Sequence, residues 1–380
     1  MEQIKIGLKE ILFSCGSWKI KLIKLADFFL GSLIAGIVKE KTASATLQKP
    51  LQRLLVIRPG GIGDTVFLLP FLRALKRENP VLTVDILCEK RNTAVFLSSP
   101  ALCDKIYRYD QVMSFFSLFG NRYDIVVDTE QWHYLSGLVA YFIPSGQKIG
   151  FATRPLRARL FTEKTQYENG EYEINNFRNL FGFILPNTEN IKDINSCFEV
   201  KETEFSWAKS AVPENSVSLC LGASIPERRF KNSESIPLIQ FILSKGFHVI
   251  LLGGNDVAPL SRVVSSKISD NRIHDFVGRA SLPQSAALIQ RSKLFIGTDS
   301  GLMHLACAVG TQVIAMFGPG NVDKWKPTGE EHTIILDERY GACYTYFGYT
   351  IIPKRIKARL KSNFDIQRIQ SAIIQKLAKP

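Results

Sequence analysis

Apolar residues along this chain fall into short unbroken runs separated by stretches of helical period, the pattern of parallel strands covered on both faces by helices. RLLVIR (53–58) reads as a buried strand, and further strands are predicted at 82–88, 104–108, 123–128 and 147–150. A second series starts with SVSLCLGAS (216–224) and continues with FHVILL (247–252), residues 273–277, KLFIG (293–297) and QVIAMF (312–317). Helices are predicted over about 65–77, 173–183, 203–211 and 301–309, from about 233, and over 364–377. The expected fold is α/β, with two Rossmann-like doubly wound domains behind an amino-terminal amphipathic helical extension. The predicted divisions are an extension over 1–50, a first domain over 51–190, a linker region over 191–214, a second domain over 215–350, and a basic segment with a terminal helix over 351–380.

The first fifty residues follow a different pattern. Ile4, Leu8, Ile11 and Leu12 recur at helical spacing, and an apolar stripe over 19–38 is interrupted only by Lys19, Lys21, Lys24 and Asp27. Eight Lys against three Glu and one Asp give this segment a net +4. Its longest apolar run, Phe28 to Val38, has eleven residues, against the ~20 that a spanning helix needs. Ala43-Ser44-Ala45 resembles a signal-peptide cleavage site, but Lys39-Glu40-Lys41 intervene. Two readings remain: an interfacial helix on anionic lipid, or helices packed on the protein's own body.

With 380 residues and 46% hydrophobic content the chain buries a large core and is not disordered. A formal charge of +13 asks for an acidic partner, such as an anionic membrane surface or a phosphorylated small molecule. No zinc-knuckle spacing or aromatic ribonucleoprotein motif points to nucleic acid. The seven cysteines are scattered without a Cys-x-x-Cys pair, the usage of reduced thiols in a cytosolic enzyme.

The chemistry gathers at strand-to-helix turns. Residues 293–319 combine a strand, the turn Thr298-Asp299-Ser300, a helix from Gly301 that Gly310 stops, and a second strand. Such a turn offers helix-start N–H groups to an anion. The first strand runs into Gly60, Gly61 and Gly63, where glycines let backbone approach a ligand, although the dinucleotide fingerprint G-x-G-x-x-G is only partly met. Asp64 in that loop is either the N-cap of the next helix or a general base. Arg154, Arg157 and Arg159 form a basic loop suited to acceptor phosphate or carboxylate, or else simply solvated. In the second half Ser224 and Arg228 follow the first strand, and Asp256 or Asp299 would accept ribose hydroxyls of a nucleoside diphosphate. His304 is a core histidine or a partner of the leaving diphosphate. The chain contains no Asp-x-Asp, so no metal site of that kind is expected, and no cofactor.

Two stretches taken together, LLVIRPGGIGDTVFLLPFLRALKRENP (54–80) and VGRASLPQSAALIQRSKLFIGTDSGLMHLACAVGTQVIAMFGPGNVDKWKP (277–327), resemble glycosyltransferase family 9, which contains the lipopolysaccharide heptosyltransferases. The resemblance implies a GT-B fold, two domains facing a cleft, and metal-independent inverting transfer from a nucleotide sugar, ADP-heptose in the best-known members. Asp64 stands where the family places its catalytic aspartate. Asp299, Ser300, Gly301 and His304 match the donor motif Asp-[Ser/Thr]-Gly-x-x-His, and Asp256 stands at an acidic donor contact. Where typical members carry Lys-x-Trp-Pro, this chain has Arg228-Arg229-Phe230-Lys231, which leaves the donor sugar open. The implied partners are a nucleotide-sugar donor and a lipid-linked or glycan acceptor of lipopolysaccharide-core type. The implied location is cytoplasmic, at the inner face of the membrane, where the basic run KRIKARLK (354–361) would add to the amino-terminal helices. The alternatives are another nucleotide sugar on the same fold, or a nucleotide-sugar epimerase.

Overall fold

The computed structural model describes residues 18–42, 50–223, 225, 228–318, 320–337, 344–346, 349–351 and 363–378. Contacts divide the chain into two compact units. The first holds residues 1–61, 67–192 and 345–351, and the second holds 62–66, 193–344 and 352–380. The helical pattern of Ile4, Leu8, Ile11 and Leu12, the basic run 354–361 and Ser224 lie outside the described residues.

The first unit is built on β1 (Arg53–Arg58), β2 (Thr83–Cys88), β3 (Lys105–Arg108), β4 (Tyr123–Asp128), β5 (Ser145–Phe151) and β6 (Glu163–Thr165). They form one parallel sheet in the order β3-β2-β1-β4-β5-β6. Leu54, Leu55, Val56 and Ile57 of β1 are all fully buried, because helices cover both faces of its sheet. The second unit repeats the design with β7 (Ser216–Cys220), β8 (His248–Leu252), β9 (Ile273–Asp275), β10 (Leu294–Thr298), β11 (Val313–Phe317) and β12 (Thr333–Leu336). Its parallel order is β12-β11-β10-β7-β8-β9. In both sheets the strand sequence reverses direction beside the first strand, and open α/β sheets bind ligands at that reversal, outside the strands' carboxyl ends. Two edge strands escaped the sequence pattern: β6 (Glu-Lys-Thr) has no apolar residue, and β12 (Thr-Ile-Ile-Leu) is only four residues long.

One predicted element takes a different form, and two others occur as expected with packing that the sequence did not show. The helix expected over 65–77 is two helices, α3 (Ile62–Val66) and α4 (Leu69–Glu78), broken at Phe67-Leu68 ahead of Pro70. Within the linker region, the helix expected over 203–211 is α7 (Glu202–Ala211), which packs on α9 (Leu282–Arg291) within the second unit. The terminal helix α11 (Ile366–Leu377) lies against α8 (Asn232–Ser244), and its Ile369, Ala372 and Ile373 enter the same core as β7 and β10.

The described part of the extension is a continuous helical rod: α1 (Trp18–Ala26), a π-helical turn (Asp27–Gly31) and α2 (Ser32–Ile37). It docks on α5 (Tyr134–Phe142) and α6 (Pro155–Ala158) of its own unit. Asp27 accepts hydrogen bonds from the backbone N–H groups of Tyr134 at 3.0 Å and Leu135 at 2.7 Å, and so caps α5 from outside. Its carboxylate also lies 3.3 Å from His133 Nδ1. Burial opposes its ionisation, but these donors bring the Asp27 carboxyl below its usual value. A Cβ on Gly31 would stand 2.4 Å from Tyr134 Cβ, so only glycine lets the rod lie this close. Farther along, Lys41 N donates to Arg159 O at 3.0 Å and Tyr141 Oη donates to Lys39 O at 2.9 Å.

Candidate active site

The candidate site lies in the second unit, at the carboxyl end of β10. Thr298 closes that buried strand, Asp299 and Ser300 turn the chain, and α10 (Gly301–Ala308) begins. Ser300, whose own side chain makes no cap hydrogen bond, is the extended N-cap residue of α10. Its first N–H groups therefore face the turn, where the helix dipole favours negative charge. Asp299 is buried, and a buried carboxyl group needs a partner. Arg228 supplies it, with Nη1 2.6 Å from Asp299 Oδ2. Gly320 sits beside this pair: a Cβ there would be 3.0 Å from Asp299 Oδ2 and 3.5 Å from Arg228 Nη2.

His304, one turn into α10, is also buried. Its Nε2 is 4.0 Å from Asp299 Oδ1, and its ring meets Trp325 edge-on at a centroid distance of 5.8 Å. Burial lowers the His304 pKa, more than the nearby Asp299 and Asp64 carboxylates raise it, and Arg228 adds to the lowering. The imidazole is thus held neutral near pH 7.

Short helix α3 joins the site although its neighbours in sequence belong to the first unit. It packs on α10 at two glycines. A Cβ on Gly63 would lie 2.6 Å from His304 Cδ2, and one on Gly301 would lie 3.0 Å from Ile62 Cβ. Glycine at both positions allows backbone-to-backbone approach. Asp64 follows Gly63 and is half-buried in the first turn of α3, close enough for its charge to act on His304. It is not the N-cap, because the helix begins two residues earlier at Ile62. Upstream, Gly60 adopts φ +130°, a conformation that L side chains rarely take, and Gly61 leads into α3.

Asp256 belongs to a 3-10 turn (Asn255–Val257) after β8, and its carboxylate is exposed. Arg229 Nη2 pairs with Asp256 Oδ2 at 2.5 Å, while Arg229 Nε donates to Ala223 O at 2.9 Å. That bridge ties the turn after β7 to the turn after β8. Phe230, at the position of the family's tryptophan, is a core residue that meets Phe364 edge-on at 5.8 Å.

The three arginines of the first unit do not form one basic surface. Arg157 has no exposed side-chain area, forms an ion pair with Asp128 at 2.6 Å and donates to the carbonyls of Phe151, Glu130 and His133. Its guanidinium is enclosed and offers nothing to an acceptor. Arg159 donates to Gly36 O at 3.3 Å and Val38 O at 3.4 Å, and Arg154 lies over the Phe28 ring at 4.9 Å. Both hold the extension, a use invisible in sequence because their partners are more than 100 residues away. Gly320 and Trp325 were likewise given no role from sequence, although both stand in the motif stretch 277–327. Among the described residues no group of three or more His, Cys, Asp or Glu side chains is placed to hold a metal ion.

The pattern of glycosyltransferase family 9 (heptosyltransferase) matches residues 114–346. Lipopolysaccharide heptosyltransferase 3 of Escherichia coli is 23% identical over 297 residues, covering 70% of this chain and 83% of that protein. A glycosyltransferase family 9 structure from Veillonella parvula superposes with a TM-score of 0.73 at 17% identity, covering 88% of this chain and 100% of that one. The ADP-heptose lipopolysaccharide heptosyltransferase II of E. coli superposes with a TM-score of 0.68 at 19% identity, covering 86% and 99%. These likenesses fix a two-domain GT-B fold. With the family pattern covering more than half of the chain, this protein is a glycosyltransferase belonging to family 9, the heptosyltransferase family.

Proposed function

We propose that the chain moves heptose from ADP-heptose onto a hydroxyl of a lipopolysaccharide-core or related glycan acceptor, with inversion and without a metal ion, at the cytoplasmic face of a membrane. The observation that carries this reading is the seating of α3 on α10, with Asp64 electrostatically coupled to His304 beside the Asp299–Arg228 pair. A carboxylate that can take a proton thus neighbours a helix start and a guanidinium that can hold a leaving anion. Relatives named as lipopolysaccharide heptosyltransferases support the sugar and the acceptor class.

In this mechanism the acceptor hydroxyl gives its proton to the Asp64 carboxylate as its oxygen attacks the anomeric carbon. The new carbon–oxygen bond forms on the face opposite the nucleotide. The bond to the diphosphate oxygen breaks on the other side and leaves its electron pair on ADP. The sugar passes through an oxocarbenium-like state, as in glycoside hydrolysis. Arg228 and the N–H groups at Ser300 and Gly301 stabilise the charge that develops on the diphosphate, and neutral His304 contributes a hydrogen-bonding edge. Asp256 completes the donor side through the ribose hydroxyls.

A thermal-shift screen against ADP, UDP, GDP, CMP and their sugar conjugates tests the donor. Selective stabilisation by ADP and ADP-heptose is expected, and a response to UDP or GDP sugars alone would remove heptose. For the base, Asp64→Asn should lower transfer by about 10²–10⁴-fold while the ADP-heptose shift stays intact. Normal turnover in that variant would refute the assignment.

A further inference from the structure

The helical rod of residues 18–37 carries its polarity the wrong way round for a surface helix. Between Lys24 and Lys39 the only ionisable residue in the sequence is Asp27. That carboxylate points into the protein, where it caps α5. Gly31 and Ala35, one turn apart, are buried on the same inner side. The outer side is apolar throughout: Phe29, Leu30, Leu33, Ile34 and Ile37 recur at helical spacing and are exposed, Leu30 by 61% and Ile37 by 77%. Leu22 and Ile23 extend the stripe toward the start of the rod, and Leu135 and Phe142, one heptad apart on α5, expose apolar surface from the helix beneath. Among the described residues nothing covers this face. A monomer rarely shows a contiguous apolar surface of this kind without a partner for it.

The charges at its two ends identify the partner. The sequence places Lys19 and Lys21 at one end of the rod and Lys39 and Lys41 at the other. The one acidic residue there, Glu40, faces Arg159 at 3.8 Å and Lys164 at 3.6 Å. A second copy laid along the stripe in either direction would set lysines against lysines. An anionic bilayer meets both demands, since its acyl layer takes the stripe and its headgroups take the lysines. The rod's length of about 30 Å at 1.5 Å per residue lies along α5 and α6 rather than projecting, and among the described residues no helix is long and apolar enough to cross a membrane.

We propose that the outer face of residues 18–37 is a monotopic docking surface that seats this chain on an anionic lipid bilayer with the helix axis in the interface plane. Asp27, midway along the rod, lies at the amino end of α5, just beyond the carboxyl end of β4. Docking therefore brings the ligand-binding edge of the first unit's sheet alongside the membrane. The inference deepens the functional reading by naming the surface that presents the acceptor, and its test does not depend on transfer.

The test is flotation of the full chain with phosphatidylcholine vesicles, with and without phosphatidylglycerol. The native chain should float with the anionic vesicles and much less with the neutral ones. Leu30→Asp combined with Leu33→Asp should lower partitioning by about a hundredfold or more, with an unchanged thermal melt because neither side chain touches the core. Phe29→Trp keeps the stripe apolar, and its fluorescence should shift to the blue and be quenched by brominated lipid. Equal flotation of the native and Asp variants would overturn the proposal, as would an unshifted fluorescence signal from the Phe29→Trp variant. Light scattering that shows a dimer dissolved by the Asp pair, with neither form binding lipid, would assign the face to a second copy and overturn it too. Lipid binding that appears only after removal of residues 1–17 would assign the face to the chain's own amino terminus and likewise overturn it.

Discussion

Gly63→Ala separates two physical effects that predict opposite signs. Gly63 lies in α3 with no left-handed φ, so in open space alanine would favour the helix by about 0.5–1 kcal/mol. The space is not open. The new Cβ would stand 2.6 Å from His304 Cδ2 and 3.4 Å from Nε2. His304 is buried and flanked by Trp325, so its ring cannot swing away as the end of a flexible chain would. Overpacking of this kind costs about 1–3 kcal/mol. The net expectation is a loss of about 1–2 kcal/mol, or about 2–4 °C in Tm for each kcal/mol in a unit of this size. If α3 yields instead of the ring, Asp64 moves with it, and displacement by about 1 Å lowers transfer by about 100-fold. The assay is differential scanning calorimetry with initial-rate transfer on Gly63→Ala, on His304→Ala and on the double variant. In the His304→Ala background the added methyl should become neutral or stabilising, which gives a coupling of about 1 kcal/mol or more. A Gly63→Ala protein that melts higher than the native one and turns over normally would refute the close packing of α3 on α10.

Two further outcomes follow from the same geometry. Asp27→Ala removes the external cap of α5 and should cost about 1–2 kcal/mol; limited proteolysis should then cut near residues 38–42 much faster, and an unchanged cleavage rate would contradict the docking of the rod. The lowered pKa of His304 means that the unfolded chain binds its proton first, so stability present above about pH 6.5 is lost as pH falls below it. His304→Gln should therefore show a smaller drop in Tm between pH 7.5 and pH 5.5 than the native chain, and equal drops would show that His304 does not titrate differently on folding.

The strand-forming runs and most helices were legible in sequence because each is local: a fully buried parallel strand must read as a continuous apolar run, and its covering helix must carry a 3.6-residue stripe. The turn at Asp299-Ser300-Gly301 was legible for the same reason, as a strand end meeting a helix start. Folding decided what depends on residues far apart in the chain. Asp64 could have been a cap; the start of α3 at Ile62 and the contact of Gly63 with His304 make it a first-turn residue at the donor motif. Arg154, Arg157 and Arg159 read as one basic cluster, yet one neutralises buried Asp128 and the others hold a segment more than 100 residues earlier. Sequence also established that the extension is amphipathic. Which side of it faces outward was settled by tertiary structure alone, because periodicity gives the angle between stripes but not the partner each stripe meets. A buried carboxylate needs donors more than an apolar stripe needs cover. Asp27 found its donors at the start of α5, and the apolar side was left facing outward.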